Sequence, residues 1–339
     1  MFNLSIQQNQ LHDLADLLKA FTAISNTTVE SLHSTEAVYI TEAPEEAETA
    51  TFDLDNESFE VFPLNPSGKC LRVVACDMST VHVAETSRGG IWAVRGSIVV
   101  RTGRRISAGT IGPLLYMVSP STVDWLVGTL NDLLGCGKRI YVNIAVAPKV
   151  ISNLFERVLQ LHIASKLEGG ILLLDGSLIS GPADSPAEAV ERIVDCAKAS
   201  GQGVAAFSKT TTLMLQGKSV CSLIGRCRPP YVVKIPISHS SPWKVRNGSV
   251  YVSHFSGQHY PFRVDVTSKT TDLSLFNDLL SSDTMVYGYP ETLIISHQLA
   301  KLNKLDVLSI RACLENTIGV KLVGAANLRS SLFTPISKG

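Results

Sequence analysis

The sequence predicts an α/β fold in which helices flank a mixed β-sheet. Two observations indicate this class. In the middle of the chain, helical segments that end at glycine alternate with short apolar strands, as across residues 147–177. Before and after this region lie blocks of β-branched residues bounded by glycine or proline, which are typical of antiparallel strands. With 339 residues and 45% hydrophobic content, the chain is long enough to bury such a sheet.

The N-terminal part predicts an amphipathic helix followed by an acidic extension. Apolar residues recur at helical spacing between Leu11 and Phe21. Residues 35–60 contain acidic side chains but no Lys or Arg, which is typical of a solvated segment. We therefore expect an N-terminal extension over residues 1–65 and one folded domain over residues 66–335.

The remaining elements follow from apolar runs and from helix start and stop signals. Ser121 and Gly135 bound one predicted helix, and Gly201 ends another that starts at a Ser-Pro pair. The predicted strands cover residues 70–79, 89–103 (one or two strands), 171–177, 203–209, 231–238, 248–256 and 260–266. The predicted helices cover residues 121–135, 147–170, 184–201, 271–282, 291–306 and 308–318.

Cysteine usage and hydropathy exclude several classes of protein. Seven scattered cysteines without a C-x-x-C pair predict neither a structural zinc site nor a disulfide framework. No apolar run reaches the ~18 residues of a membrane span. The N-terminus also lacks the basic and apolar regions of a secretory signal. We expect a cytoplasmic protein with reduced thiols and no membrane partner.

The charge of the chain is zero overall but is distributed unevenly. Residues 1–200 hold 15 Lys and Arg against 23 Asp and Glu, whereas residues 201–339 hold 15 against 7. A basic C-terminal part suits a polyanionic partner.

Two predicted strands each place an aspartate where an apolar run ends. Asp77 follows the run in "VVACDMST", and Asp175 follows the run in "ILLLDGSL". Strands that are apolar on both faces lie inside a sheet, and ligands of such sheets bind at the carboxyl ends of the strands. Two adjacent carboxylates repel each other unless a cation lies between them, and Mg²⁺ and Mn²⁺ prefer oxygen ligands. An Asp-Gly pair after a strand is also a common turn, so the residues alone leave both interpretations open.

Six motifs in order resemble the NurA family of DNA-repair nucleases, whose fold is RNase H-like. The resemblance spans about Leu71 to Leu332. The motifs are "VVACDMST" (73–80), "GGIWAVRGSIVV" (89–100), "ILLLDGSL" (171–178), "VAAFSKTT" (204–211), "HYPFRVDV" (259–266) and "GYPETLIISHQLAK" (288–301). The resemblance implies that residues 66–335 form an RNase H-like nuclease domain.

The resemblance also implies an activity and partners. Family members are manganese-dependent 5′→3′ DNA exonucleases and single-strand endonucleases. They act as homodimers with the hexameric HerA translocase in DNA end resection during double-strand break repair. We therefore expect a metal-dependent deoxyribonuclease that uses Mn²⁺ or Mg²⁺, with two ions in the site.

Carried over residue by residue, the resemblance assigns the catalytic site. Asp77 and Asp175 match the two strand acids, and Tyr289 and His297 match the closing Tyr-His pair. The family has a further glutamate on the helix before the second acidic strand, and Glu156 is the candidate for it. Asp77, Asp175, Glu156 and His297 are the expected metal ligands.

The sequence departs from the family at one point of the first motif. Met78 stands where a small residue, often glycine, is expected. Its bulk could narrow the site, but the acid before it is retained.

Four basic residues are predicted to contact DNA. Lys209 and Arg263 end or interrupt apolar strands, where a cation is costly without an anion. Arg226 and Arg228 lie in the basic cluster "GRCRPP". A solvated strand end remains an alternative interpretation for Lys209.

Two rival functions remain open from the sequence. An actin-like sugar kinase or ATPase also has acidic strand ends, but it needs glycine-rich phosphate loops, and "CDMSTVHVAE" contains no glycine. A non-catalytic RNase H-like scaffold would bind DNA or the motor alone. A scaffold would be expected to have lost Asp77, Asp175 or His297.

Overall fold

The computed structural model describes residues 8–33, 38–40, 52–54, 59–137, 141–180, 186–209, 211, 213–215, 218–219, 221, 228–235, 245–256, 261–268, 270–319 and 322–324. The helices are α1 (Gln8–His33), α2 (Val123–Leu134), α3 (Ala147–Lys166), α4 (Ala187–Ala199), α5 (Asp272–Ser282), α6 (Glu291–Ala300) and α7 (Lys304–Cys313), and a π-helical turn follows at Leu314–Ile318.

The strands are more numerous than the helices, and several are very short. In chain order they are β1 (Val38–Ile40), β2 (Phe52–Leu54), β3 (Glu60–Pro63), β4 (Arg72–Thr86), β5 (Gly90–Thr102), β6 (Arg105–Val118), β7 (Ile171–Asp175), β8 (Ile179–Ser180), β9 (Gly203–Ser208), β10 (Leu213–Leu215), β11 (Lys218–Ser219), β12 (Tyr231–Ile235), β13 (Val245–Arg246), β14 (Ser249–His254), β15 (Phe262–Thr267), β16 (Met285–Val286), β17 (Tyr289–Pro290) and β18 (Leu322–Gly324).

One large mixed sheet organises the molecule. Its central order is β6-β5-β4-β7-β9-β15-β14-β12-β3, with β1 and β18 beside the far end of β4. Strands β4, β5 and β6 form an antiparallel meander, whereas β4, β7 and β9 are parallel. A meander joined through its first strand to two parallel strands makes the sheet mixed. The predicted fold class, a mixed sheet flanked by helices, is confirmed.

The alternation of side chains along the central strands divides the core into two layers. Val74, Leu172 and Leu174 pack in the layer that contains α1 to α4. Val73 and Leu173 pack in the layer that contains α5 and α6. Successive strand residues point to opposite faces, so apolar residues at consecutive positions fill both layers. The continuous apolar runs in the sequence therefore lie in the interior of the sheet.

Several element boundaries differ from the sequence predictions for identifiable reasons. Strand β6 was not predicted, although it pairs with β5 along nearly its whole length. The predicted helix over residues 291–306 is divided into α6 and α7. Asn303 ends the continuity because its side chain accepts hydrogen bonds from the N–H groups of Leu305 and Asp306, which starts a new helix. The glycine stops are confirmed at Gly135 and Gly201, which have φ values of 64° and 77°.

The N-terminal helix packs into the main core. Leu17, Phe21 and Ile24 are buried in the layer of α1 to α4. The Phe21 ring meets the Phe155 ring of α3 edge to face, with centroids 5.1 Å apart. The domain division at residue 65 stays a prediction, and most of the acidic segment 35–60 lies outside the described residues. Among the helices that the structure describes, none has the length and apolarity needed to cross a bilayer.

Candidate metal centre

The two predicted acids lie side by side at the carboxyl end of β7. Strands β4 and β7 run parallel and pair up to Cys76 and Leu174, so the next residues, Asp77 and Asp175, are neighbours. Asp175 is the last residue of β7. Asp77 lies within β4, which extends beyond the predicted strand over residues 70–79. Strand β4 continues to Thr86 because β5 pairs with it beyond the end of β7.

A histidine from α6 completes a group of three possible metal ligands. Nδ1 of His297 lies 2.7 Å from Oδ2 of Asp77. One ligand atom each from Asp77, Asp175 and His297 can be chosen so that all lie within 4.8 Å of one another. These atoms are separated by as many as 220 positions in the chain. The sheet and α6 therefore bring together three of the four predicted ligands.

Helix α6 is attached to the sheet next to His297. The Ser97 hydroxyl of β5 lies 2.6 Å from the Ser296 carbonyl oxygen and donates to it. At the start of the helix, Nε of Arg101 lies 2.9 Å from Oδ1 of Asp283. Arg101 also forms an ion pair with Glu291, the first residue of α6. These contacts set the position of α6 and hence of His297.

Charge crowding affects the protonation of Asp77. Burial and, secondarily, the neighbouring Asp175 carboxylate raise the pKa of Asp77, whereas the hydrogen bond with His297 opposes this rise. The Met78 N–H donates to Oδ1 of Asp77 at 2.8 Å. A bound cation would relieve the repulsion between the two carboxylates.

The Lys209 ammonium group lies against the same ligand atoms. Its Nζ is 2.5 Å from Oδ2 of Asp175 and 3.4 Å from Nδ1 of His297. A protein cation thus sits within hydrogen-bonding distance of two of the three candidate ligands. The donor set consists of two carboxylates and one imidazole, and it already binds the Lys209 ammonium group. These donors fit a divalent ion such as Mn²⁺. The assignment of Lys209 to DNA binding stays a prediction, because the ion pair with Asp175 is an internal contact.

Tyr289 supports Asp175 from the α5–α6 layer. Its hydroxyl group donates to Oδ1 of Asp175 at 3.3 Å. Its ring meets the Phe207 and Phe262 rings edge to face, with centroids 5.5 Å and 5.1 Å away. Burial, followed by the adjacent Asp175 charge, raises the pKa of Tyr289, so the phenol remains a proton donor at neutral pH.

Glu156 lies near the centre but is held differently. The Gln160 amide nitrogen donates to Oε1 of Glu156 at 2.6 Å. The Gln160 amide oxygen accepts from Nη1 of Arg157 at 2.7 Å. Burial raises the pKa of Glu156 to about 8, and the Asp77 and Asp175 charges contribute to this rise. In the described part of the chain, the group of three candidate ligands does not include Glu156. Its role as the further acid stays a prediction.

Met78 does not occupy the space around Asp77. It is buried in the layer of α1 to α4 and lies with Leu159 against Gly96 of β5. Because successive residues of β4 point to opposite faces, Asp77 and Met78 belong to different layers. The bulk of Met78 therefore leaves the candidate ligand group open.

Arg263 lies inside the fold in an ion pair with Asp265. Its Nε and Nη2 donate to the two Asp265 oxygens at 2.8 Å and 2.7 Å, and both residues are buried. Asp265 also accepts from the Ser177 hydroxyl and the Leu178 N–H, both at 2.9 Å. These two residues follow the Asp175-Gly176 turn. The contacts favour a role in holding this turn, and the assignment of Arg263 to DNA binding stays a prediction.

The structure describes one of the two other predicted DNA contacts. Arg228 is exposed just before β12, and Arg226 lies outside the described residues.

Asp265, Asp283 and Ser97 were not singled out from the sequence, although each supports the site. For Asp265 a signal existed, since residues two apart on a strand share a face and Arg263 and Asp265 are so spaced. Ser97 and Asp283 carry no comparable local signal.

Comparisons with known proteins bear on the same region. A family model described as NurA domain matches residues 88–302, which include Asp175, Tyr289 and His297 but not Asp77. The NurA nuclease from Sulfolobus solfataricus is similar over 91% of this chain and 94% of its own, with 14% identity and a TM-score of 0.48. A NurA structure bound to dAMP and manganese is similar over 76% of this chain and 90% of its own, with 9% identity and a TM-score of 0.41. No curated protein sequence matched the chain.

Proposed function

Since this chain belongs to the NurA family, we propose that it is a divalent-metal-dependent nuclease that hydrolyses the phosphodiester bonds of DNA. One observation carries the proposal. Ligand atoms of Asp77, Asp175 and His297 lie within 4.8 Å of one another although the three residues come from distant parts of the chain. Such a group is costly to assemble in a folded protein without a cation, and Lys209, 2.5 Å from Asp175, occupies the position that a metal ion would take over. Phosphodiester hydrolysis is a chemistry that uses such an ion.

In this proposal Asp77, Asp175 and His297 hold the metal. When bound, such an ion would supply an activated water and stabilise the leaving oxygen. Asp77 as a carboxylate and His297 as a neutral imidazole would be the ligand forms, in place of the hydrogen bond that now joins them. The Tyr289 hydroxyl keeps donating to Oδ1 of Asp175 and orients that carboxylate. Lys209, which now contacts Oδ2 of Asp175, would be available to a phosphate oxygen of the DNA once an ion neutralised that carboxylate.

We further propose the finer features that the family resemblance implies. The metal is Mn²⁺ or Mg²⁺, and a second ion would bind with Glu156 as an additional ligand. The activities are 5′→3′ exonuclease and single-strand endonuclease action. The nuclease domain would span residues 66–335, and the basic C-terminal part, including Arg226 and Arg228, would line the DNA path.

The proposed partners and setting also come from the resemblance. The protein would act in the cytoplasm as a homodimer with a HerA-type hexameric translocase during DNA end resection and double-strand break repair. A pull-down with a HerA-type ATPase and light scattering of the purified chain test the two assemblies separately from the chemistry.

The test of the activity compares three purified proteins on 5′-labelled single-stranded DNA with Mn²⁺. The wild type should shorten the DNA, and Asp175→Asn should not, because the ion loses a charged ligand. Asp195→Asn is the matched control, since Asp195 is exposed on α4 and should leave the rate unchanged. Electron paramagnetic resonance of Mn²⁺ measures ion binding in the same samples. A wild-type cleavage rate in folded Asp175→Asn would refute the proposed site.

A further inference from the structure

A tight hairpin precedes α6. Strands β16 and β17 pair through Met285 with Pro290 and Val286 with Tyr289, which leaves Tyr287 and Gly288 as a two-residue loop. The loop residues have φ values of 54° and 83°. Positive φ at both positions is what a type I′ turn requires, and the sequence most suited to it is Asn-Gly.

Tyrosine is an unusual choice for the first position of this loop. Among the described residues other than glycine, Tyr287 has the one positive φ. Residues with a bulky side chain rarely adopt this conformation, whereas asparagine and glycine do so readily. Tyr287 is 69% exposed and is therefore accessible to a ligand from the solvent. The requirements of the turn therefore do not account for an aromatic residue here.

The hairpin is joined directly to the candidate metal centre. Tyr289 on β17 donates its hydroxyl hydrogen to Oδ1 of Asp175. The Glu291 N–H donates to the Thr284 carbonyl at 2.8 Å, which closes the base of the hairpin at the start of the helix that carries His297. Tyr287 is thus an exposed aromatic residue two positions from a residue that contacts a metal ligand. Backbone outliers of this kind occur preferentially at functional sites.

We propose that Tyr287 is a stacking platform for an unpaired base of the DNA strand whose phosphodiester lies at the metal centre. This inference rests on the proposed nuclease function and adds a substrate-binding residue to it. Base stacking on an aromatic ring is tolerant of sequence, because every base has a π-face. The class of ligand is therefore single-stranded DNA, or an unpaired end, rather than a particular base sequence.

Two substitutions separate stacking from a role in folding. Tyr287→Asn supplies the residue that the turn prefers, so the melting temperature should stay the same or rise. Its affinity for single-stranded DNA should fall about tenfold, which corresponds to the loss of ~1.4 kcal/mol of base stacking. Tyr287→Phe keeps the ring and should bind within about twofold of the parent protein. Tyr141→Asn is the control, because Tyr141 is 89% exposed on a different part of the surface.

Binding is measured in the Asp175→Asn background, so that the DNA is not cut, with 2-aminopurine-labelled oligonucleotides. Quenching of the 2-aminopurine fluorescence reports stacking directly, and it should be lost in Tyr287→Asn alone. If the wild type cleaves DNA but Tyr287→Asn shows unchanged quenching and affinity, the stacking role is overturned. The nuclease function would be unaffected by that result. A lower melting temperature that accompanies weaker binding would overturn it as well, since the tyrosine would then be structural. A wild type that neither binds nor cuts DNA would refute the nuclease function itself.

Discussion

Replacing Arg263 by methionine tests whether this residue holds the fold or contacts DNA. Arg263 is 7% exposed, and its partner Asp265 is 1% exposed. Four hydrogen bonds converge on the Asp265 carboxylate, two from Arg263 and one each from Ser177 and Leu178. Methionine preserves most of the side-chain volume but removes the charge and three hydrogen bonds, two to Asp265 and one to the Ser177 hydroxyl.

The magnitude follows from the charge that is left behind. Removing one partner of a buried ion pair costs about 3–5 kcal/mol, because the remaining charge is uncompensated. The donors on Ser177 and Leu178 persist, so we expect the lower end of this range, about 3 kcal/mol. That loss is a large fraction of the 5–15 kcal/mol that stabilises a typical protein. Because both donors follow the Asp175-Gly176 turn, a loosened turn would also weaken Mn²⁺ binding.

Urea denaturation of the metal-free protein measures the free energy of unfolding. Arg228→Met is the control, since Arg228 is exposed and its replacement should change the free energy by less than about 0.5 kcal/mol. The double variant Arg263→Met with Asp265→Asn should recover part of the loss, because no unpaired charge remains. If Arg263→Met instead unfolds with the free energy of the wild type and binds DNA more weakly, Arg263 contacts DNA and the structural interpretation is refuted.

Two further predictions concern the metal centre. Lys209→Met should bind Mn²⁺ about two- to fivefold more tightly, because it removes a cation that competes for Asp175. The partly exposed ion pair is worth up to ~1 kcal/mol, which sets this range. Weaker binding in a Mn²⁺ titration would contradict this role for Lys209. Glu156 has a folded-state pKa of about 8 against an ordinary value of 4.5. Between these two values the folded protein holds a proton on Glu156 that the unfolded chain has lost. The stability that this proton contributes is complete below pH 4.5 and is lost as the pH rises through about 8. Urea denaturation should show the metal-free wild type losing stability over this window, by at most ~1.4 kcal/mol per pH unit, and Glu156→Gln losing less. Equal slopes in the two proteins would contradict the buried position of Glu156.

The juxtaposition of Asp77 and Asp175 could be predicted from the sequence because it depends on local pattern. Both acids follow apolar runs, and such runs form adjacent parallel strands in α/β sheets. The length of β4 could not be predicted in this way. It depends on β5 and β6, and the second of these lacks a clear strand signal.

The roles of the basic residues depend on sheet order, which the sequence does not encode locally. Asp175 pairs with Phe207 on β9, so Lys209 lies two residues beyond the partner of an acid. The strand-end position of Lys209 was visible in the sequence, but the identity of the neighbouring strand was not. His297 is a similar case, because its contact with Asp77 requires α6 to cross the sheet. Only the family resemblance indicated that pair.

The layers of the core constrain which residues can share a metal ion. Asp77 continues the row of Val73 and Ala75, and Asp175 continues the row of Ile171 and Leu173; all four apolar residues pack in the α5–α6 layer. Tyr289 and His297 approach from this same layer, which explains why they contact the two acids directly. Glu156 belongs to α3 in the opposite layer, and its charge raises the pKa of the buried Cys76 thiol there after the larger effect of burial. An ion held by the group of three would therefore be bound from the face of the sheet opposite to the one that Glu156 occupies.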